Sequence, residues 1–239
     1  MARPTFEPIT PHIHKLDLRA FGGTLPVGVW LVQESSGWTV VDAGVPPFED
    51  YVLEQILART GGERPRHLVL THGHLDHGAA AERMRDRWHL LIAAGRVEIP
   101  YLTGAERYAR IPSHSLAYKL LQGSPPALNG RNVQLPLDEG MQLGSLTVYA
   151  APGHAPGMVA LLHGGDRALI CGDAWANFGG KLGDPLPAFT YDMDEAHRTQ
   201  ARLAELDFDH LLVSHGPPVL KDAREMIRAL AQRREKKRR

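Results

Sequence analysis

Thr71-His72-Gly73-His74-Leu75-Asp76-His77 packs three imidazoles and a carboxylate into seven residues, directly after the apolar run HLVL. Few chains can bury such a segment without a purpose. A buried His or Asp with no partner costs roughly 2–7 kcal/mol. Neutral imidazole and carboxylate together suit Zn, Fe or Mn. Gly73 and Gly78 let the backbone turn tightly, so that alternate side chains converge. The segment predicts a metal-binding turn between a buried strand and a helix.

The rest of the chain supplies a matching scaffold. Apolar runs bounded by turn residues predict strands at 27–32, 38–41, 67–70, 89–93, 146–150, 158–162, 168–171 and 210–213. Glu34-Ser-Ser-Gly37 between the first two reads as a hairpin turn. Helical spacing or composition predicts helices at 48–59, 79–88, 193–206 and 220–233, the third opened by Asp192 or Asp194. The irregular segment Pro100 to Arg131, with a short helix around 116–121, reads as an insertion near a site entrance. Strands followed by helix, twice over, predict an α/β chain. Two sheets packed face to face with helices outside bury runs this apolar.

Three later strands also end in potential ligands beside glycine: Pro152-Gly-His154, Gly172-Asp173 and Ser214-His215-Gly. A single His or Asp in a turn is usually a turn residue. The repetition at strand ends is what points to one site.

These motifs, in this order and with the turn Val41-Asp42-Ala-Gly44, resemble the metallo-β-lactamase-fold hydrolases, in particular the glyoxalase II/lactonase-like branch. The resemblance runs from about Val29 to Pro217. It implies a four-layer αββα sandwich of two mixed sheets flanked by helices. It implies two divalent cations, zinc expected, with iron or manganese as alternatives. His72, His74 and His154 would hold the first, and Asp76, His77 and His215 the second, with Asp173 bridging. Two such ions about 3.5–4 Å apart can share a hydroxide that attacks a carbonyl. Asp76 would also steer that nucleophile, making Asp76 and Asp173 the catalytic carboxylates. Asp42 and Thr71 would orient the ligand imidazoles.

Features that are missing narrow the branch. Glyoxalase II-like thioesterases carry a helical domain beyond the last ligand, and only 24 residues follow His215. Lactonases of the family place Tyr three residues after the bridging Asp, where this chain has Ala176. The expected reaction is hydrolysis of a small ester, lactone or thioester. The alternatives are an iron-dependent sulfur dioxygenase on the same ligands and a phosphodiesterase or nuclease. Trp175, Phe178, Phe189 and Tyr191 are pocket material, and His114 sits in the irregular segment. His12, His14, His67, His89, His163, His197 and His210 read as background.

Composition adds exclusions. One Cys allows neither an internal disulfide nor a multi-Cys zinc module. No run approaches the roughly 18 apolar residues of a membrane helix, and the start lacks the apolar core of a secretory signal. A cytoplasmic enzyme with a small-molecule substrate is expected, and a homodimer is compatible with this. The zero net charge divides into a body of −5 (1–232) and a basic tail of +5 (233–239). The tail reads as a solvated helix end rather than a nucleic-acid arm, because no aromatic residue interleaves its charges.

Overall fold

The computed structural model describes residues 3–20, 23–108, 127–128 and 133–238. His114 and the helix expected at 116–121 lie outside them. Each sheet is made from one contiguous half of the chain. The first has seven strands in sequence order: β1 (Glu7–Pro8), β2 (Ile13–Ala20), β3 (Leu25–Glu34), β4 (Gly37–Val41), β5 (His67–Leu70), β6 (Leu91–Gly95) and β7 (Leu135–Leu137). Its first four strands are antiparallel and β4 to β7 run parallel. The second sheet uses β8 (Gln142–Leu143), β9 (Leu146–Ala150), β10 (Val159–His163), β11 (Ala168–Ile170) and β14 (His210–Leu212), in the order β14-β11-β10-β9-β8. A short hairpin of β12 (Ala176–Phe178) and β13 (Lys181–Gly183) stands apart.

Alternation along the strands produces three apolar layers. Val41, Val69, Trp30 and Val32 meet Val148, Leu161, Ile170 and Leu212 between the sheets. Their neighbours Val40, Leu68, Leu70 and Leu31 face the other way, toward Val52, Ile56, Met84 and Trp88 of helices Glu49–Arg59 and Ala81–Trp88. On the far side Leu169 and Leu211 pack with Leu203, Ile227 and Leu230 of helices Met193–Leu203 and Ala223–Arg238. The four-layer αββα sandwich expected from the sequence is the fold observed. Among the described residues no helix is long and apolar enough to cross a membrane.

Every predicted strand is present with its ends shifted by at most two residues, and the 34–37 turn closes the β3–β4 hairpin. Asp192 caps its helix by accepting from the Glu195 amide at 2.9 Å. Strand β2 was not expected, because IHKLDLRA puts a lysine where an apolar residue would signal burial. Lys15 is nonetheless buried. Its ammonium donates to the Gly216 carbonyl at 2.5 Å, lies 3.3 Å from Asp17 and sits 5.2 Å over the Trp30 ring. The basic tail begins inside the last helix, which runs to Arg238. Arg233 donates to the Leu182 carbonyl and Arg234 pairs with Asp184 at 3.4 Å, so the tail's first residues pack on the β12–β13 hairpin instead of fraying.

Candidate metal centre

Strand direction brings the chemistry to one end of the sandwich. The residues that follow β4, β5, β9, β11 and β14 all emerge there: Asp42, Thr71 to His77, His154, Asp173 and His215. The short helix Leu75–Gly78 turns Asp76 and His77 back over the end of β5. Gly216 has φ 106°, and a Cβ there would lie 1.8 Å from the Asn177 carbonyl oxygen. Only glycine lets the His215 loop pass so close to β12.

All seven predicted ligands converge. His74 Nδ1 is 3.0 Å from both His72 Nε2 and His154 Nε2. His215 Nε2 is 3.5 Å from Asp76 Oδ2, and His77 Nε2 is 3.9 Å from the same oxygen. Asp173 spans the two groups, with Oδ2 at 2.9 Å from His215 Nε2 and 3.4 Å from His154 Nε2, and Oδ1 at 3.5 Å from His77 Nε2. His72, His77 and Asp173 form a further set close enough to share an ion. The five histidines and Asp173 are buried, while the Asp76 side chain keeps 20% of its exposure.

The outer hydrogen bonds fix where the ring protons sit. Thr71 Oγ1 contacts both Asp42 oxygens at 3.0 Å, which directs its own proton there and leaves it to accept from His72 Nδ1 at 3.1 Å. His77 Nδ1 donates to Asp42 Oδ2 at 2.8 Å, and His215 Nδ1 donates to the Pro26 carbonyl at 2.8 Å. Thr190 Oγ1 donates to the Leu186 carbonyl and accepts from His154 Nδ1 at 3.2 Å. The Nε2 atoms of His72, His77, His154 and His215 therefore face inward, toward His74 Nδ1 and Asp173. His77 Nε2 and Asp173 Oδ1 have no hydrogen-bond partner among the described atoms. The donor set fits divalent metal.

The electrostatics divide the centre in two. Burial, then the neighbouring imidazoles, hold His72 and His74 well below the usual histidine range. Burial also lowers His154 to about 4. Burial opposes charge on His77 and His215 too, yet the surrounding aspartates push them up to about 10 and about 9. Burial would raise Asp173, but His215, His77 and His154 hold it well below the carboxylate range. One half offers neutral nitrogen and the other is rich in negative charge.

The expected pocket residues separate. Phe178 is 37% exposed and stacks on His215 with ring centroids 6.5 Å apart. Trp175 is instead a core residue, fully buried in the layer that holds Leu203 and Phe208, because the chain from Asp173 to Ala176 runs inward before β12. Phe189 and Tyr191 are half-buried, and the Tyr191 amide donates to the His154 carbonyl at 3.0 Å.

Sequence reasoning missed Glu98 and Tyr108. Glu98 is fully buried. Its Oε1 accepts from the Gly73 amide at 2.9 Å and its Oε2 from the Gly157 amide at 2.7 Å, joining the His72–His74 turn to the His154 turn. Tyr108 hydrogen-bonds Glu98 and lies edge-on to His74, ring centroids 5.1 Å apart. The signal was an acid inside the otherwise apolar run around Val97-Glu98-Ile99-Pro100. Thr190, which orients His154, carried no signal.

Comparison with known proteins agrees with this geometry. The sequence matches the Metallo-beta-lactamase superfamily over residues 22–215. It is 32% identical over 225 residues to the probable metallo-hydrolase YflN of Bacillus subtilis, covering 86% of this chain and 85% of that one. It is 28% identical over 199 residues to the probable metallo-hydrolase YybB of the same organism, covering 82% and 83%. Among solved structures, TTHA1623 in a di-iron-bound form superposes with a TM-score of 0.62 at 28% identity, covering 89% of this chain and 93% of that one.

Proposed function

Because the chain belongs to the metallo-beta-lactamase superfamily, we propose that it is a dinuclear metallohydrolase cleaving the ester, lactone or thioester bond of a small molecule. The observation that carries this reading is the inward convergence of four Nε2 atoms, His74 Nδ1 and the Asp173 carboxylate. His72, His74 and His154 would hold one divalent cation, Asp76, His77 and His215 the other, and Asp173 would lie between them. Bound there, the two ions would supply an activated water and an electrophile for the substrate carbonyl. Zinc suits this donor set, and the di-iron form of a relative supports iron as the alternative.

The chain's own residues have distinct roles. Asp42 and Thr71 keep His77 and His72 in the tautomer whose Nε2 can bind. Asp76 is the one carboxylate of the set that keeps solvent contact, so it is placed to hold and pass a proton. Phe178 gives the opening an apolar edge for the substrate body. Burial and the adjacent Glu98 carboxylate push the Tyr108 hydroxyl well above the usual tyrosine range, so it keeps its proton and donates it to Glu98 in a hydrogen bond.

The test is a hydrolysis panel of lactones, thioesters, simple esters and phosphodiesters on metal-loaded protein, with metal counted per chain. Turnover of a carboxylic substrate with about two metals per chain supports the proposal. One iron per chain with oxygen consumption, or turnover of phosphodiesters alone, refutes it. Asp173→Ala should abolish nearly all turnover, and full activity in that variant would also refute it.

A further inference from the structure

We propose that His12, His163 and Asp166 form a separate divalent transition-metal site, at the end of the sandwich opposite the active centre, that staples the two sheets together. His12 immediately precedes β2, whose first residue Ile13 pairs with Val32. Pro26, at the other end of β3, accepts from His215. His163 ends β10 and pairs with Leu146, whereas Val159 at the start of β10 pairs with Ala150 on the His154 side. The cluster therefore takes one ligand from each sheet and a third from the turn after β10, with His12 and Asp166 separated by 154 residues.

The carboxylate is held in a way that suits a ligand. Asp166 Oδ2 accepts from Thr10 Oγ1 at 2.5 Å and from the His12 amide at 2.9 Å. Those bonds orient the group and leave Oδ1 facing two rings, with His12 Nδ1 at 2.6 Å and His163 Nδ1 at 3.6 Å. The imidazoles stack with centroids 5.4 Å apart, and one ligand atom from each of the three residues falls within 4.8 Å of the others. Asp166 and His163 are buried, whereas the His12 side chain is 51% exposed. That open side gives an ion its approach and leaves room for a water as fourth ligand.

Metal–ligand bonds of about 2.0–2.2 Å place two ligands of a tetrahedral site roughly 3.4 Å apart. The His163–Asp166 spacing already matches. The shorter His12–Asp166 distance is that of a hydrogen bond, so the ion takes the place of the proton there and releases it to solvent. His163 Nδ1 now accepts from the Asp166 amide at 2.9 Å and must give up that bond to coordinate. The adjoining Gly164-Gly165 turn can absorb the change, since no heavy atom lies within 4 Å of a Cβ built at Gly164. The guanidinium of the next residue in sequence, Arg167, is already paired with Asp207 and Asp209.

The probe is Zn²⁺, added to full-length protein whose active centre is already filled, with wild type compared to His12→Gln and His163→Gln. Wild type should retain one more zinc per chain than either variant. Its melting temperature should rise by about 5 °C or more at zinc a hundredfold above Kd. Both variants should lose that rise while hydrolytic activity stays unchanged. If His163→Gln does not fold, His12→Gln carries the test, because its side chain is half exposed. Equal zinc counts in wild type and His12→Gln would overturn the proposal. Variants that melt lower by the same amount with and without zinc would identify a hydrogen-bonded clasp and overturn it as well. The result is independent of whether the active centre hydrolyses an ester.

Discussion

Asp42 Oδ2 meets His77 Nδ1 at 2.8 Å with neither side chain exposed to solvent. The same carboxylate accepts from the Thr71 amide and hydroxyl, so one residue with φ 62° orients two of the proposed ligands, His77 directly and His72 through Thr71, and the backbone between strand and turn. Asp42→Ala should weaken metal binding by roughly 10- to 100-fold. Stability should fall by about 1–3 kcal/mol for each buried donor left unpaired. Chelator competition and thermal melts check both.

Glu98 should behave as a positioning residue. Glu98→Gln keeps the size but sets an NH₂ against an amide donor, so either Gly73 or Gly157 loses its acceptor. We expect a loss of about 1–3 kcal/mol in stability and a changed visible spectrum of the Co²⁺-substituted protein, with Glu98→Asp recovering less than wild type. An unchanged spectrum would show that the carboxylate only fills space.

Gly216→Ala should be among the most damaging single changes. The added methyl collides with the Asn177 carbonyl in a backbone conformation that side chains resist. A loss of about 3 kcal/mol or more is expected, together with lost turnover as His215 is displaced. Gly183→Ala is the control, since the nearest atom to a Cβ there is 3.9 Å away. Its melting temperature should move little.

His14 predicts a pH dependence away from the centre. Burial, aided by the Arg59 guanidinium 2.9 Å from Nδ1, lowers its pKa from 6.5 to about 4. Between those values the unfolded chain binds a proton that the folded chain refuses. Stability is thus fully present above about pH 6.5 and falls as pH drops toward 4, by up to roughly 2–3 kcal/mol. His14→Gln should flatten that part of the stability profile, measured by denaturant melts across the window.

The opening of the site predicts a separation of kinetic constants. Phe178→Ala removes apolar surface stacked on His215 without replacing any proposed ligand. KM should rise several-fold with kcat little changed. A fall in kcat alone would place Phe178 in the chemistry instead of the binding of substrate.

The residues proposed as ligands were legible because their types and their places at strand ends are local facts. The strands β3 to β6 and β9 to β11 were legible because both faces are apolar. What sequence hid was polar burial settled by distant partners. Lys15 disguised β2, since its counterparts Gly216 and Trp30 are brought to it only by the fold. Glu98 could not be told from a surface acid until Gly73 and Gly157 were placed beside it. Trp175 had the composition of a pocket and the position of a core residue.

The first sheet is complete by Leu137 and the second begins at Gln142. His72, His74, Asp76 and His77 belong to the earlier half, while His154, Asp173 and His215 belong to the later one. Neither half owns a full set of donors for either of the two proposed ions. The centre thus comes into being only when the halves dock, and any slippage between them would silence the molecule while both sheets remained whole.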